Sequence, residues 1–169
     1  VWDWQITAPD SLFQAGIAGD RWSDGLVFLS TAPAINNVLR FNNNNWLETR
    51  NNRVGTYDIH GIEFESGNTS SRRILGNAFR LRNIGGVAPF IQNLSSASMR
   101  IDNFLNGDVV DQIVEIRALN GNLDFRGGFN TRASIVHLIS NPERDLFFNS
   151  TISDVGTVTI LGGGVVRFN

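Results

Sequence analysis

Side chains able to do chemistry are few in this chain of 169 residues. It holds two histidines, His60 and His137, and neither cysteine nor lysine. Neither histidine stands in an HxH, HExxH or Cys-paired pattern, so transition-metal chemistry is not expected. The absence of cysteine removes disulfides, thiolate metal sites and a cysteine nucleophile. No Gly-x-Ser-x-Gly elbow is present, and Gly162-Gly163-Gly164 reads as a coil corner rather than a phosphate cradle. Glu63 and Glu65 flank Phe64 on one alternating strand, with Cα atoms about 7 Å apart. That spacing would suit the carboxylate pair of a glycoside hydrolase. The stronger expectation is that Arg40, Arg80 and Arg82 hold both as structural ion pairs. Asp108 and Asp111 follow Asn106-Gly107, where calcium could sit, but the dense oxygen spacing of a calcium loop is missing. Three Asn-x-Ser/Thr matches, at Asn68, Asn93 and Asn149, are accidents to be expected among 20 asparagines. We therefore expect no catalytic residue, no cofactor, no metal and no enzyme. Trp2, Trp4 and Trp22 crowd the start of the chain and Trp46 follows an asparagine run. Exposed, they would suit sugar rings, as in an adhesin.

The elements that must carry these residues follow from composition. Seventeen glycines and 20 asparagines in one domain-sized chain demand many turns, hence short elements. A formal charge of -2 argues against a general polyanion binder, nucleic acid included, which would need a basic excess on one face. Hydrophobic residues at 41% suffice for a core, yet no apolar run is long enough for a membrane-spanning helix. All 14 basic residues are arginine. The chain starts at Val1, which fits a signal peptide already removed and a secreted protein.

Period-two alternation recurs along the sequence, with inward markers at Phe41, Phe64, Leu81, Ile101, Phe125, Phe148 and Phe168. Successive steps are 23, 17, 20, 24, 23 and 20 residues. One strand motif per near-constant period is the mark of a stacked solenoid. In several periods a second apolar strand precedes the marker, as at 113–118, 134–139 and 157–161. The expectation is an all-β, right-handed parallel β-helix of six to seven coils over residues 36–169, with a non-repeating arm and cap at 1–35. An antiparallel sandwich or jelly roll is the alternative, because Asn120-Gly121 between apolar runs is also a hairpin signal. If the markers stack, Glu63, Glu65, Arg80, Arg82, Asp102 and Arg126 fall in outward columns where opposite charges alternate and fix register.

The residues Trp22-Ser23-Asp24-Gly25, Gly61-Ile62-Glu63-Phe64, Leu75-Gly76-Asn77-Ala78-Phe79-Arg80-Leu81 and Gly121-Asn122-Leu123-Asp124-Phe125-Arg126-Gly127, with the closing run 159–169, carry a resemblance. Residues 22–169 resemble the β-strand repeats associated with autotransporter passengers and related secreted bacterial solenoids. The resemblance implies a right-handed parallel β-helix at the cell surface or outside the cell, and it transfers no catalytic residue. The chain departs from a usual passenger in being much shorter, and no outer-membrane barrel is expected after Asn169.

The last motif runs to Asn169 with no capping segment, and the coil ends of a solenoid expose unpaired backbone and apolar cross-section. From this we expect a structural subunit that assembles head to tail with copies of itself into an extracellular filament. Trp2, Trp4 and Ile6 of the arm and Val165, Val166 and Phe168 of the last strand are the expected interface. The second reading is an adhesin or glycan-binding module with surface glycans as partner, and the third is a polysaccharide-active β-helix enzyme.

Overall fold

The structure, a computed structural model, describes residues 2–4, 12–13, 22–23, 37–41, 48–51, 55–110 and 112–169. Ile6, Trp46 and Asp111 lie outside the described residues. No helix occurs among those described; the fold is all β. The chain winds into a parallel β-solenoid of about five turns. Ahead of them come β1 (Trp2–Trp4), β2 (Leu12–Phe13), β3 (Trp22–Ser23), β4 (Asn37–Phe41) and β5 (Glu48–Asn51). The first full turn is β6 (Tyr57–Phe64) and β7 (Arg72–Gly76). The second is β8 (Phe79–Leu81), β9 (Phe90–Asn93) and β10 (Met99–Ile101). The third is β11 (Leu105–Asn106), β12 (Ile113–Ala118) and β13 (Leu123–Phe125). The fourth is β14 (Phe129–Asn130), β15 (Ile135–Ser140) and β16 (Asp145–Phe148). The fifth is β17 (Ile152–Ser153), β18 (Thr157–Gly162) and β19 (Val165–Phe168).

Equivalent strands stack in register and make three faces. The long face joins β4, the second half of β6, β9, β12, β15 and β18. A second face joins β2, β5, β7, β10, β13, β16 and β19. The short face joins the first half of β6 to β8, β11, β14 and β17. Every ladder from β4 onward is parallel, which excludes the sandwich. Asn120-Gly121 is accordingly a corner between β12 and β13, not a hairpin.

Each face sends at least one apolar column inward. Ile62, Ile91, Ile116, Leu138 and Ile160 are successive partners on the long face. Ile74, Ile101, Phe125, Phe148 and Phe168 are partners on the second face. Tyr57, Phe79, Leu105, Phe129 and Ile152 line the short face. The three columns meet in one core, and burial of each large side chain contributes about 1.5–3 kcal/mol. The phenyl rings of Phe125, Phe148 and Phe168 stack nearly parallel at 5.0 and 5.3 Å. One member of the inner wall is charged. Arg72 stands in register with Met99, and its guanidinium lies 5.0 Å from the Phe41 ring, near Thr49 Oγ1 and Asn68 Oδ1. Burial lowers its pKa to about 10.

The turn count is lower than the six to seven coils expected from the markers. Leu81 and Ile101 had been assigned to successive coils, but β8 and β10 belong to the same turn on different faces. Counting both inserted one coil, and it produced the short step of 17 residues. The boundary at residue 36 falls just before β4. Ahead of it, β1 lies parallel on β4 and antiparallel to β3, while β2 extends the second face. Strands from the 1–35 segment thus join both sheets.

Candidate functional site

Corners of the solenoid are built from side-chain amides and close backbone contacts. Asn93 Nδ2 donates to the carbonyls of Ala97 and Asn122, and Ser95 N donates to Asn93 Oδ1. Asn120 Nδ2 reaches Leu94 O, and Asn141 Nδ2 reaches Leu119 O, each one turn back. Buried carbonyls left unpaired at corners would cost stability, and these amides satisfy them. Asparagine abundance pointed to turns; its cross-turn hydrogen bonds were not foreseen. Asn68 and Asn93 are buried, which removes them as glycan acceptors.

The six charged residues expected to form the register ladder occupy three separate clusters. Arg40 and Glu63 are direct partners across β4 and β6, and Arg40 Nε lies 2.7 Å from Glu63 and 3.0 Å from Glu65. Gln92 Nε2 also donates to Glu63. Both carboxylates of the candidate glycosidase pair are therefore engaged by one guanidinium, and Arg80 and Arg82 are not their neighbours. On the short face Arg80 grips Asp58 through two hydrogen bonds of 2.8 and 2.7 Å. Arg82 bridges Asp58 and Asp108, at 3.1 Å to each. Burial works to raise the Asp58 carboxyl, but hydrogen bonds and charge from Arg80 and Arg82 outweigh it and set its pKa below the usual value.

The third cluster lies on the second face. Its outward column runs Glu48, Arg73, Arg100, Asp124, Phe147 and Arg167. Asp102 sits between two guanidiniums, accepting from Arg73 and Arg100 at distances down to 2.5 Å. Burial opposes ionisation of Asp102 too, and the hydrogen bonds from Arg100 and Arg73 again carry the net shift downward. Arg126 pairs with Asp124 on its own strand edge at 2.8 Å, not with Asp102. Asn169 Nδ2 donates to Asn149 Oδ1, one turn back, at 2.6 Å.

The histidines are structural neighbours of these networks. His60 Nδ1 lies 2.9 Å from the Arg82 carbonyl, with its ring edge-on to Phe90. His137 faces outward beside Glu115 at 4.0 Å. Among the described residues, no group of three or more His, Cys, Asp or Glu could hold a metal ion, and no helix is long and apolar enough to cross a membrane.

At the interface positions the structure is asymmetric. β1, which contains Trp2 and Trp4, is paired on two sides within its own chain. On the other side of the solenoid, β17, β18 and β19 have partners on one side only among the described strands. Their inward columns are correspondingly open: Ile160 is 54% and Phe168 53% exposed, against 0% for Ile116 and 2% for Phe125. Val165 is also exposed, and Val166 packs partly against the core. No family model, curated protein or solved structure matches the chain.

Proposed function

We propose that the protein is a structural β-solenoid subunit that stacks head to tail with copies of itself into an extracellular or cell-surface fibre. One observation carries the reading. The fifth turn presents three parallel strand edges and the apolar residues Ile152, Val158, Ile160, Val166 and Phe168 in register with the turn before, and none of the described strands pairs with its outer side. Stacking another turn there pairs idle N–H and C=O groups and covers Val158, Ile160 and Phe168. The receiving surface is the opposite end of the next copy, where β2 and the antiparallel β3 are the outermost of the described strands. Such a contact is heterologous and propagates without closing. In this reading Val165, Val166 and Phe168 form the contact directly, and the Trp2–Trp4 strand shapes the receiving end while bound to its own solenoid. The reading assigns the chain no catalytic role, and the likeness to passenger repeats supports the extracellular setting.

Electron microscopy and light scattering of the purified chain test the proposal. Unbranched filaments of uniform width are expected, and Ile160→Lys is expected to abolish them, because a charge on the open column blocks edge-to-edge addition. The variant's monomer should melt as wild type, since Ile160 is already half exposed. A wild-type chain that stays monomeric at high concentration overturns the proposal.

A further inference from the structure

In turns three to five, the corner between the short and long faces carries strained backbone. Asp108, Val109 and Val110 follow β11, Arg132 and Ala133 follow β14, and Asp154 follows β17. Arg132, Ala133 and Asp154 hold left-handed conformations, with φ of 50°, 55° and 52°. A Cβ resists that region, and arginine and alanine lack the short polar side chain that eases it for Asn or Asp. Bonds between turns impose it: Ala133 N donates to Asp154 O at 2.7 Å, and Thr131 N donates to Ser153 O at 3.0 Å. The result is a depression of about 600 Å³, lined by those six corner residues.

Two opposite charges line this depression without satisfying each other. The Arg132 guanidinium donates to the Asp108 carbonyl at 3.3 Å and has no carboxylate partner among the described residues. The Asp154 carboxylate has no partner among them either. Asp108 is not available to Arg132 as a carboxylate, because Arg82 and Arg80 hold it at 3.1 and 3.8 Å. Val109 and Val110, 54% and 63% exposed, add an apolar wall.

That combination selects among ligands. A simple anion drawn to Arg132 is repelled by Asp154, a simple cation drawn to Asp154 is repelled by Arg132, and a neutral sugar uses neither charge. A molecule bearing both charges satisfies both side chains at once. We propose that the depression binds an aliphatic zwitterion, either an α-amino acid or a short peptide. Its carboxylate meets Arg132, its ammonium meets Asp154, and its side chain covers Val109 and Val110. The site lies on the side of the solenoid and does not rest on fibre assembly.

Calorimetry on the full chain, with leucine and leucyl-leucine as probes, tests the assignment. At least one should bind, and the tighter of the two shows whether the site takes a free amino acid or a peptide. Isocaproate lacks the ammonium and isoamylamine lacks the carboxylate, so each should bind roughly tenfold more weakly or worse. Arg132→Gln and Asp154→Asn should each weaken the better probe by about the same factor. Both positions are exposed, and Asn tolerates left-handed φ, so an unchanged melting temperature is expected and verifies the fold. Arg126→Gln, in the second-face network, leaves binding unchanged. The proposal is overturned by binding of neither probe, by binding that neither corner variant weakens, or by isocaproate binding as tightly as the better probe.

Discussion

Asp58 and Asp102 do the same job at two places: each is a poorly exposed carboxylate clamped by two arginines, Arg80 and Arg82 from the next turn for Asp58, Arg73 from the preceding turn and Arg100 from its own strand for Asp102. Both have a folded-state pKa below the free value of 3.8. A carboxyl depressed on folding stabilises the native state above its unfolded pKa, and that contribution disappears as pH falls through the folded value. The melting temperature should therefore be flat from about pH 7 to pH 5 and decline below about pH 4. Asp58→Asn and Asp102→Asn should lower it near neutrality and flatten the acid decline, read by circular dichroism across a pH series. Acid profiles parallel to wild type in both variants would place the acid-sensitive groups elsewhere. The residue types for these clusters were evident in the sequence; the partners were not, because alternation says which residues face outward and nothing about which face they share.

That distinction explains what could be read at the level of strands and corners. Ile101, Phe125, Phe148 and Phe168 were correctly aligned from spacing alone, since all four lie on one face and each turn between them has similar length. Alignment failed at β6. This eight-residue strand serves two faces, with Tyr57–Ile59 pairing β8 and Gly61–Phe64 pairing β9. A single Gly61 inside an otherwise alternating run is all that marks the change of face, so Leu81 reads as the next coil. Corners were more legible where glycine is required by contact. At Gly127 an added Cβ would lie 2.0 Å from the Asn103 carbonyl oxygen of the preceding turn. Backbone packed on backbone cannot yield as a flexible side chain would. Gly127→Ala should cost about 1–3 kcal/mol in urea unfolding. A Ser96→Ala change, at an exposed corner position, should be near neutral within about 0.5 kcal/mol. Equal effects of the two would mean that close stacking of corners is not what glycine supplies.

At the scale of the whole molecule, each turn touches only its neighbours, so stability is distributed along the axis rather than held in one centre. β12 and β13 have strands on two sides and inward residues such as Val114, Ile116 and Leu123 at 0% exposure. β18 and β19 have strands on one side, and in a parallel ladder an edge strand directs about half its N–H groups away from its only partner. Local opening should then be easiest in the fifth turn. Hydrogen exchange followed by mass spectrometry on the monomer should show a gradient, slowest over β12–β13 and fastest over β18–β19. Assembly adds a partner to the fifth turn, so the same amides should slow by roughly tenfold or more in fibres. Uniform exchange along the monomer would contradict the nearest-neighbour picture. Fibres that form while β18 and β19 still exchange rapidly would show that copies meet through another surface.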